Sequence, residues 1–172
     1  MRNLFTTIML ISIGIFHATS QENSVKINPF ALLGGVDLVS YERGLSDNSS
    51  GVISGAISNY DIGGSDYKAF GLGLQYRYYF REALKGWYAA AHGLFQSGDV
   101  VEELLGFKVE SDFTAFGIGL RGGYQWVWQS GLTLDLNTGF TYRSYSYDDS
   151  TSALFESDGV YLALGVGIGY SF

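Results

Sequence analysis

The chain contains no cysteine, one proline and two histidines in 172 residues. Without cysteine there is no disulfide scaffold and no thiol to carry a lipid anchor, and two histidines fall short of a structural zinc set. Charge is scarce as well: 16% of residues are charged, against about 25% in ordinary soluble domains. What charge there is runs acidic, with ten basic and 17 acidic residues and a net charge of −7. That balance excludes a nucleic-acid binder, whose affinity rests on clustered Lys and Arg. Also missing is an apolar run of about 20 residues, the length a helix needs to cross a bilayer. The nearest approach, Leu4 to Phe16, is too short.

Glycine and aromatic residues are plentiful instead. The 24 glycines are roughly twice the usual ~7% share, and aromatics make up 16% of a chain whose length fits one domain. The first segment, Met1–Ser20, has a single early charge (Arg2), the apolar stretch, and then Ala18-Thr19-Ser20. This is the layout of a secretory signal peptide cleaved before Gln21; a buried N-terminal helix is the plainer alternative. The expected domains are therefore a leader over 1–20 and a single β-domain over 21–172. Cleavage removes Arg2, leaving nine of the ten basic residues against 17 acids, or −8. Any crossing of a membrane by the mature chain falls to strands.

Period-two alternation runs through that mature chain. In Gly159–Phe172, Val160, Leu162, Leu164, Val166, Ile168, Tyr170 and Phe172 share one parity, while Tyr161, Ala163, Gly165, Gly167, Gly169 and Ser171 share the other. Successive side chains of a strand point to opposite faces, so one wall is apolar and the other small and polar. The same rule sets Phe70, Leu72, Leu74, Tyr76, Tyr78 and Phe80 against Gly71, Gly73, Gln75, Arg77 and Tyr79. It sets Phe116, Ile118, Leu120, Tyr124, Trp126 and Trp128 against Gly117, Gly119, Arg121, Gly123 and Gln125. It sets Leu132, Leu134, Leu136, Phe140 and Tyr142 against Asp135, Asn137, Thr141 and Arg143. A soluble sandwich would bury its apolar face and leave arginines and glycines as an odd solvent surface. A transmembrane barrel accounts for both faces, with lipid outside and a polar lumen, and closure removes the strand edges that lipid cannot satisfy.

The spacing predicts strands near 25–33, 36–43, 51–60, 67–80, 87–97, 113–128, 131–146 and 159–172. The first hairpin turns at Gly34-Gly35, and Pro29 removes a ladder donor from its first strand. Short connections at 46–50, 81–86 and 129–131 alternate with longer acidic ones at 61–66, 98–112 and 147–158, the asymmetry of periplasmic turns and outer loops. With the C-terminus periplasmic, Tyr78, Phe80, Trp87, Trp126, Trp128, Tyr170 and Phe172 fall at one level. That is the place of an interfacial aromatic girdle.

The run Tyr41-Glu42-Arg43-Gly44-Leu45, then Gly71–Phe80 with Arg77-Tyr78-Tyr79-Phe80, then Gly86-Trp87-Tyr88, resembles a family of small Gram-negative outer-membrane barrels of unknown function. More broadly the chain is similar to the eight-stranded OmpA/OmpX-type barrels. The resemblance spans the mature chain and implies a fold and a location but no activity. Phe172 likewise resembles the terminal aromatic residue that marks outer-membrane barrels for assembly.

Five charged residues, Glu42, Arg77, Arg121, Asp135 and Arg143, follow inward parity, and Gln125 faces Asp135 across a hairpin. In eight strands the interior is just wide enough for side chains to fill it. The structural reading is a satisfied lumen network; the functional one is a narrow ion path. His92 would serve a lipid-modifying enzyme only beside a serine, and Ser97, five residues along the strand, has the opposite parity. The acidic loops (Asp61, Asp66, Asp99, Glu102, Glu103, Glu110, Asp112, Asp148, Asp149, Glu156 and Asp158) make a solvated rim, or one that gathers divalent cations and bridges to lipopolysaccharide. They lack the spacing of a dedicated calcium loop. Gly165-Val166-Gly167-Ile168-Gly169 precedes no helix, so it is strand and not a nucleotide loop.

The expectation is an all-β, eight-stranded antiparallel up-and-down transmembrane barrel in the outer membrane, monomeric, with both termini periplasmic. It carries no catalytic site, cofactor or metal site, its partners are bilayer and lipopolysaccharide, and its role is structural or adhesive. A narrow pore and a lipid-modifying enzyme are the rivals, and a soluble periplasmic barrel would turn its aromatics inward.

Overall fold

A computed structural model describes residues 22–33, 37–62, 65–104, 107–147 and 158–172. The expected leader and the Gly34-Gly35 turn lie outside them. Eight strands follow in chain order: β1 (Asn23–Ile27), β2 (Val39–Ser46), β3 (Ser49–Ile62), β4 (Ser65–Tyr79), β5 (Gly86–Leu104), β6 (Phe107–Val127), β7 (Leu132–Tyr147) and β8 (Gly159–Ser171). Each pairs antiparallel with the next. β1 also pairs with β8, from Ser24↔Ser171 to Ile27↔Ile168, closing the barrel.

The two parities become two walls. Ile57, Ile118, Leu120, Val160 and Leu164 are exposed, with Ile118 at 71%. The opposite positions are buried: Glu42 is 0% exposed, Asp135 1% and Gln125 0%. Leu164, Ile118 and Leu134 do not converge on a common centre; the first two stand open on the outside and Leu134 is half-buried there. The apolar core of a soluble protein is replaced by small clusters, such as Tyr79, Tyr88 and Ala90. Glycines on the inner wall give the long polar side chains room. A Cβ on Gly167, for instance, would already touch Asp135 at 3.4 Å and Lys26 at 3.5 Å.

Two expectations need correction. The first strand ends at Ile27, and residues Pro29–Leu33 form a 3-10 helix. Proline has no N–H for the ladder but fits the first turn of a helix, so the chain leaves the sheet there. The helix packs against β3 and β8, with Ala31 buried, beside the part of the wall that the short β1 does not reach. Second, residues 61–62, 65–66, 98–104 and 107–112 are strand rather than loop. β3 and β4 pair up to Ile62↔Ser65, and β5 and β6 up to Leu104↔Phe107. Two glycines between Ile62 and Ser65 are a strong two-residue hairpin signal. The acidic side chains there obscured the underlying continuity of the strands. As a result β5 and β6, at 19 and 21 residues, are far longer than the ~9–11 residues of a bilayer span.

At the other end the connections are short. Ser46 and Ser49 pair across Asp47-Asn48, and the Trp128 N–H donates to the Leu132 carbonyl at 3.0 Å around 129–131. Gly131 has φ +85°, and a Cβ on it would lie 2.5 Å from the Tyr170 ring. The β4–β5 turn holds Leu84 at φ 64° with its side chain buried, capping the barrel from below.

Candidate functional site

The interior charges form a compact cluster near the short-turn end. Lys26 Nζ donates to Glu42 Oε2 at 2.5 Å, to Gln125 Oε1 at 2.6 Å and to Asp135 Oδ2 at 3.0 Å. Arg77 Nη1 reaches the same three acceptors, at 3.2 Å, 3.2 Å and 2.6 Å. Arg77 also donates through Nε to Gln75 and lies over the Tyr88 ring, 4.3 Å from its centroid. The remaining carboxylate oxygens accept from hydroxyls: Glu42 Oε1 from Ser50 at 2.5 Å and Tyr79 at 2.6 Å, Asp135 Oδ1 from Tyr88 at 2.7 Å. Gln125 Nε2 donates to the Leu84 carbonyl at 2.7 Å.

Seven strands, β1 to β7, each supply a group, and β8 supplies the space at Gly167. Two cations face two carboxylates, so the cluster is neutral. Burying a charge is costly unless it is paired and its remaining hydrogen-bonding positions are filled. Here both conditions hold. The arrangement can tie the strands into one register and block the lumen. No member is free to take a substrate proton without breaking a buried pair.

Of the lumen residues expected from parity, Glu42, Arg77, Gln125 and Asp135 come together in this cluster. Arg121 and Arg143 point inward but stand apart from it. Arg121 bridges across the lumen to Asp37 at 2.9 Å and reaches Asn137 at 3.5 Å. Arg143 donates to the Tyr145 hydroxyl at 3.3 Å and faces the Tyr161 ring at 5.7 Å. Parity gives the face of a side chain but not its height above a neighbouring strand; register does that.

Lys26 and Tyr88 escaped the sequence reading, and both are central. Lys26 sits between Val25 and Ile27, both exposed, and is 2% exposed itself. The alternation was present over three residues, too few to stand out beside Pro29. His92 is inside, with Nε2 2.8 Å from Thr141 Oγ1. Ser97 is five residues along the same strand, so it does not share that face.

The girdle residues stand at the short-turn end. Trp87 is the second residue of β5; Trp126 and Trp128 flank the end of β6, Tyr78 and Phe80 that of β4, and Tyr170 and Phe172 that of β8. Trp87 packs edge-on to Tyr124 with centroids 5.1 Å apart, and Tyr124 lies 4.4 Å from Trp126. Among the acidic rim residues, Asp158 caps Tyr145 N–H at 2.8 Å, whereas Asp148, Asp149 and Glu156 lie outside the described residues.

No curated protein and no solved structure matches the chain. A family-wide profile does match it over residues 5–157, that of the protein of unknown function DUF3575. With most of its length covered by that match, this closed eight-stranded barrel belongs to the DUF3575 family.

Proposed function

We propose that this barrel is an integral outer-membrane protein, exported by its N-terminal leader, with a plugged lumen and a structural or adhesive role. The observation that carries the reading is the inversion of its two walls: bulky apolar side chains outside, a satisfied ionic cluster inside. A soluble protein rarely exposes a continuous apolar belt, while a bilayer meets such a belt with acyl chains. The aromatic residues at the short-turn end match the headgroup level of one leaflet. With that end periplasmic, the long β5–β6 hairpin projects outward beyond the bilayer. The acidic residues of the outer connections then contact lipopolysaccharide through divalent cations, with the bilayer itself as the principal partner and the monomer as the working form.

Two other readings fare worse. A narrow pore needs a water path, but the cluster spans the lumen with both carboxylates buried. A lipid-modifying enzyme needs His92 near the bilayer with a serine; His92 instead faces inward and is bonded to Thr141. The test is outer-membrane fractionation of the expressed chain, electrophoresis with and without boiling, and planar-bilayer recording of the folded protein. The expected outcome is recovery in the outer membrane, a heat-dependent shift in migration and no conductance steps. Soluble recovery without a shift would defeat the membrane assignment, and steps abolished by Arg121→Ala would favour the pore.

A further inference from the structure

Above the ionic cluster the lumen holds a cavity of about 40 Å³ lined by Lys26, Asp37, Arg77, His92, Arg121 and Asn137 among others. One buried water needs about 10–15 Å³, so this space takes a halide-sized ion with a water beside it but no larger organic ligand. The cluster below is closed upon itself, and its cations have their acceptors. On the cavity's other side Arg121 Nη1 is held by Asp37 and Asn137, but two ring and guanidinium nitrogens are left over. Arg121 Nε and His92 Nδ1 are buried and lack a hydrogen-bond partner among the described residues. His92 is 9% exposed, and its other ring nitrogen is held by Thr141. The tautomer with Nδ1 protonated, in which the Thr141 hydroxyl donates to Nε2, makes both unpartnered nitrogens donors, and it is the one an anion site selects.

Charge points the same way. Inside the barrel, among the described residues, Lys26, Arg77, Arg121 and Arg143 face only Asp37, Glu42 and Asp135. The excess cation is on the His92 side: Arg143 follows Thr141 by two residues on β7, and its Nε also lacks a partner there. A buried donor left unmatched is costly, and more so when it is charged. An acceptor carrying one negative charge satisfies the donors and balances the interior.

We propose that this cavity is a binding site for a small monovalent inorganic anion of halide size, held by Arg121 Nε–H and His92 Nδ1–H under the field of Arg143. The site is part of the barrel interior and does not depend on which membrane surrounds it.

Two measurements test it. Quadrupolar chloride NMR on the detergent-folded protein is expected to show saturable excess line broadening. Arg121→Gln and Arg143→Gln should each at least halve it, and the exposed turn variant Arg81→Gln should leave it unchanged. Heat-modifiable migration verifies that each variant is folded. If a lumen variant fails that check, crystals of the wild-type chain soaked in bromide decide the matter. An anomalous peak between Arg121 Nε and His92 Nδ1 supports the site. Ordered water alone at that position, bromide only on exposed lysines (an adventitious ion only), or broadening unaltered in folded lumen variants overturns it.

Discussion

Asp135 and Glu42 share the same two cations, Lys26 and Arg77, so removing any one member leaves the others unequal. Breaking one partner from a buried ionic set typically costs about 3–5 kcal/mol, because the remaining charge stays buried without its counterion. Asp135→Ala should therefore lower the unfolding free energy of the barrel, read from urea titration, by an amount in that range, and Lys26→Met likewise. The double variant keeps one cation, Arg77, against one carboxylate, Glu42, at 3.2 Å. It should consequently lose less than the sum of the single losses, by about 0.5–3 kcal/mol of coupling. Strict additivity in that cycle would show that the cluster does not act as a unit. The hydroxyls of Tyr79 and Tyr88 belong to the same unit, since each donates to one of its carboxylates.

At the scale of elements the weakest join is β1 against β8, where four residue pairs close the barrel. Gly169 sits in that seam, and a Cβ there would lie 1.9 Å from the Val25 carbonyl oxygen. Gly169→Ala is expected to destabilise by about 1–3 kcal/mol, the usual cost of overpacking a fitted contact. Urea titration of the folded protein measures it, and an unchanged midpoint would mean the seam contributes little to closure. Strands β4, β6, β7 and β8 were legible from alternation alone, because each carries five or more bulky residues of one parity. Strand β1 was less so. It offers three alternating residues before Pro29, and its partner Glu42 became meaningful only once Lys26 was placed beside it. The extensions of β5 and β6 past residue 97 were hidden for a different reason. Acidic side chains argue for a loop, yet a hairpin that continues beyond a barrel needs no apolar face at all. The separation of Arg121 and Arg143 from the cluster was invisible because parity fixes direction while strand register fixes height.

For the molecule as a whole, everything turns on the apolar wall facing acyl chains. The absence of cysteine makes this directly measurable, since a single introduced thiol can be labelled without background. Nitroxides placed one at a time at Leu120, Leu164 and Ile57 of the barrel in lipid vesicles would be compared by collision with oxygen, which partitions into lipid, and with a water-soluble nickel chelate. All three labels are expected to collide preferentially with oxygen. Preferential collision with the nickel chelate, or immobilised labels shielded from both reagents, would contradict an apolar wall facing acyl chains.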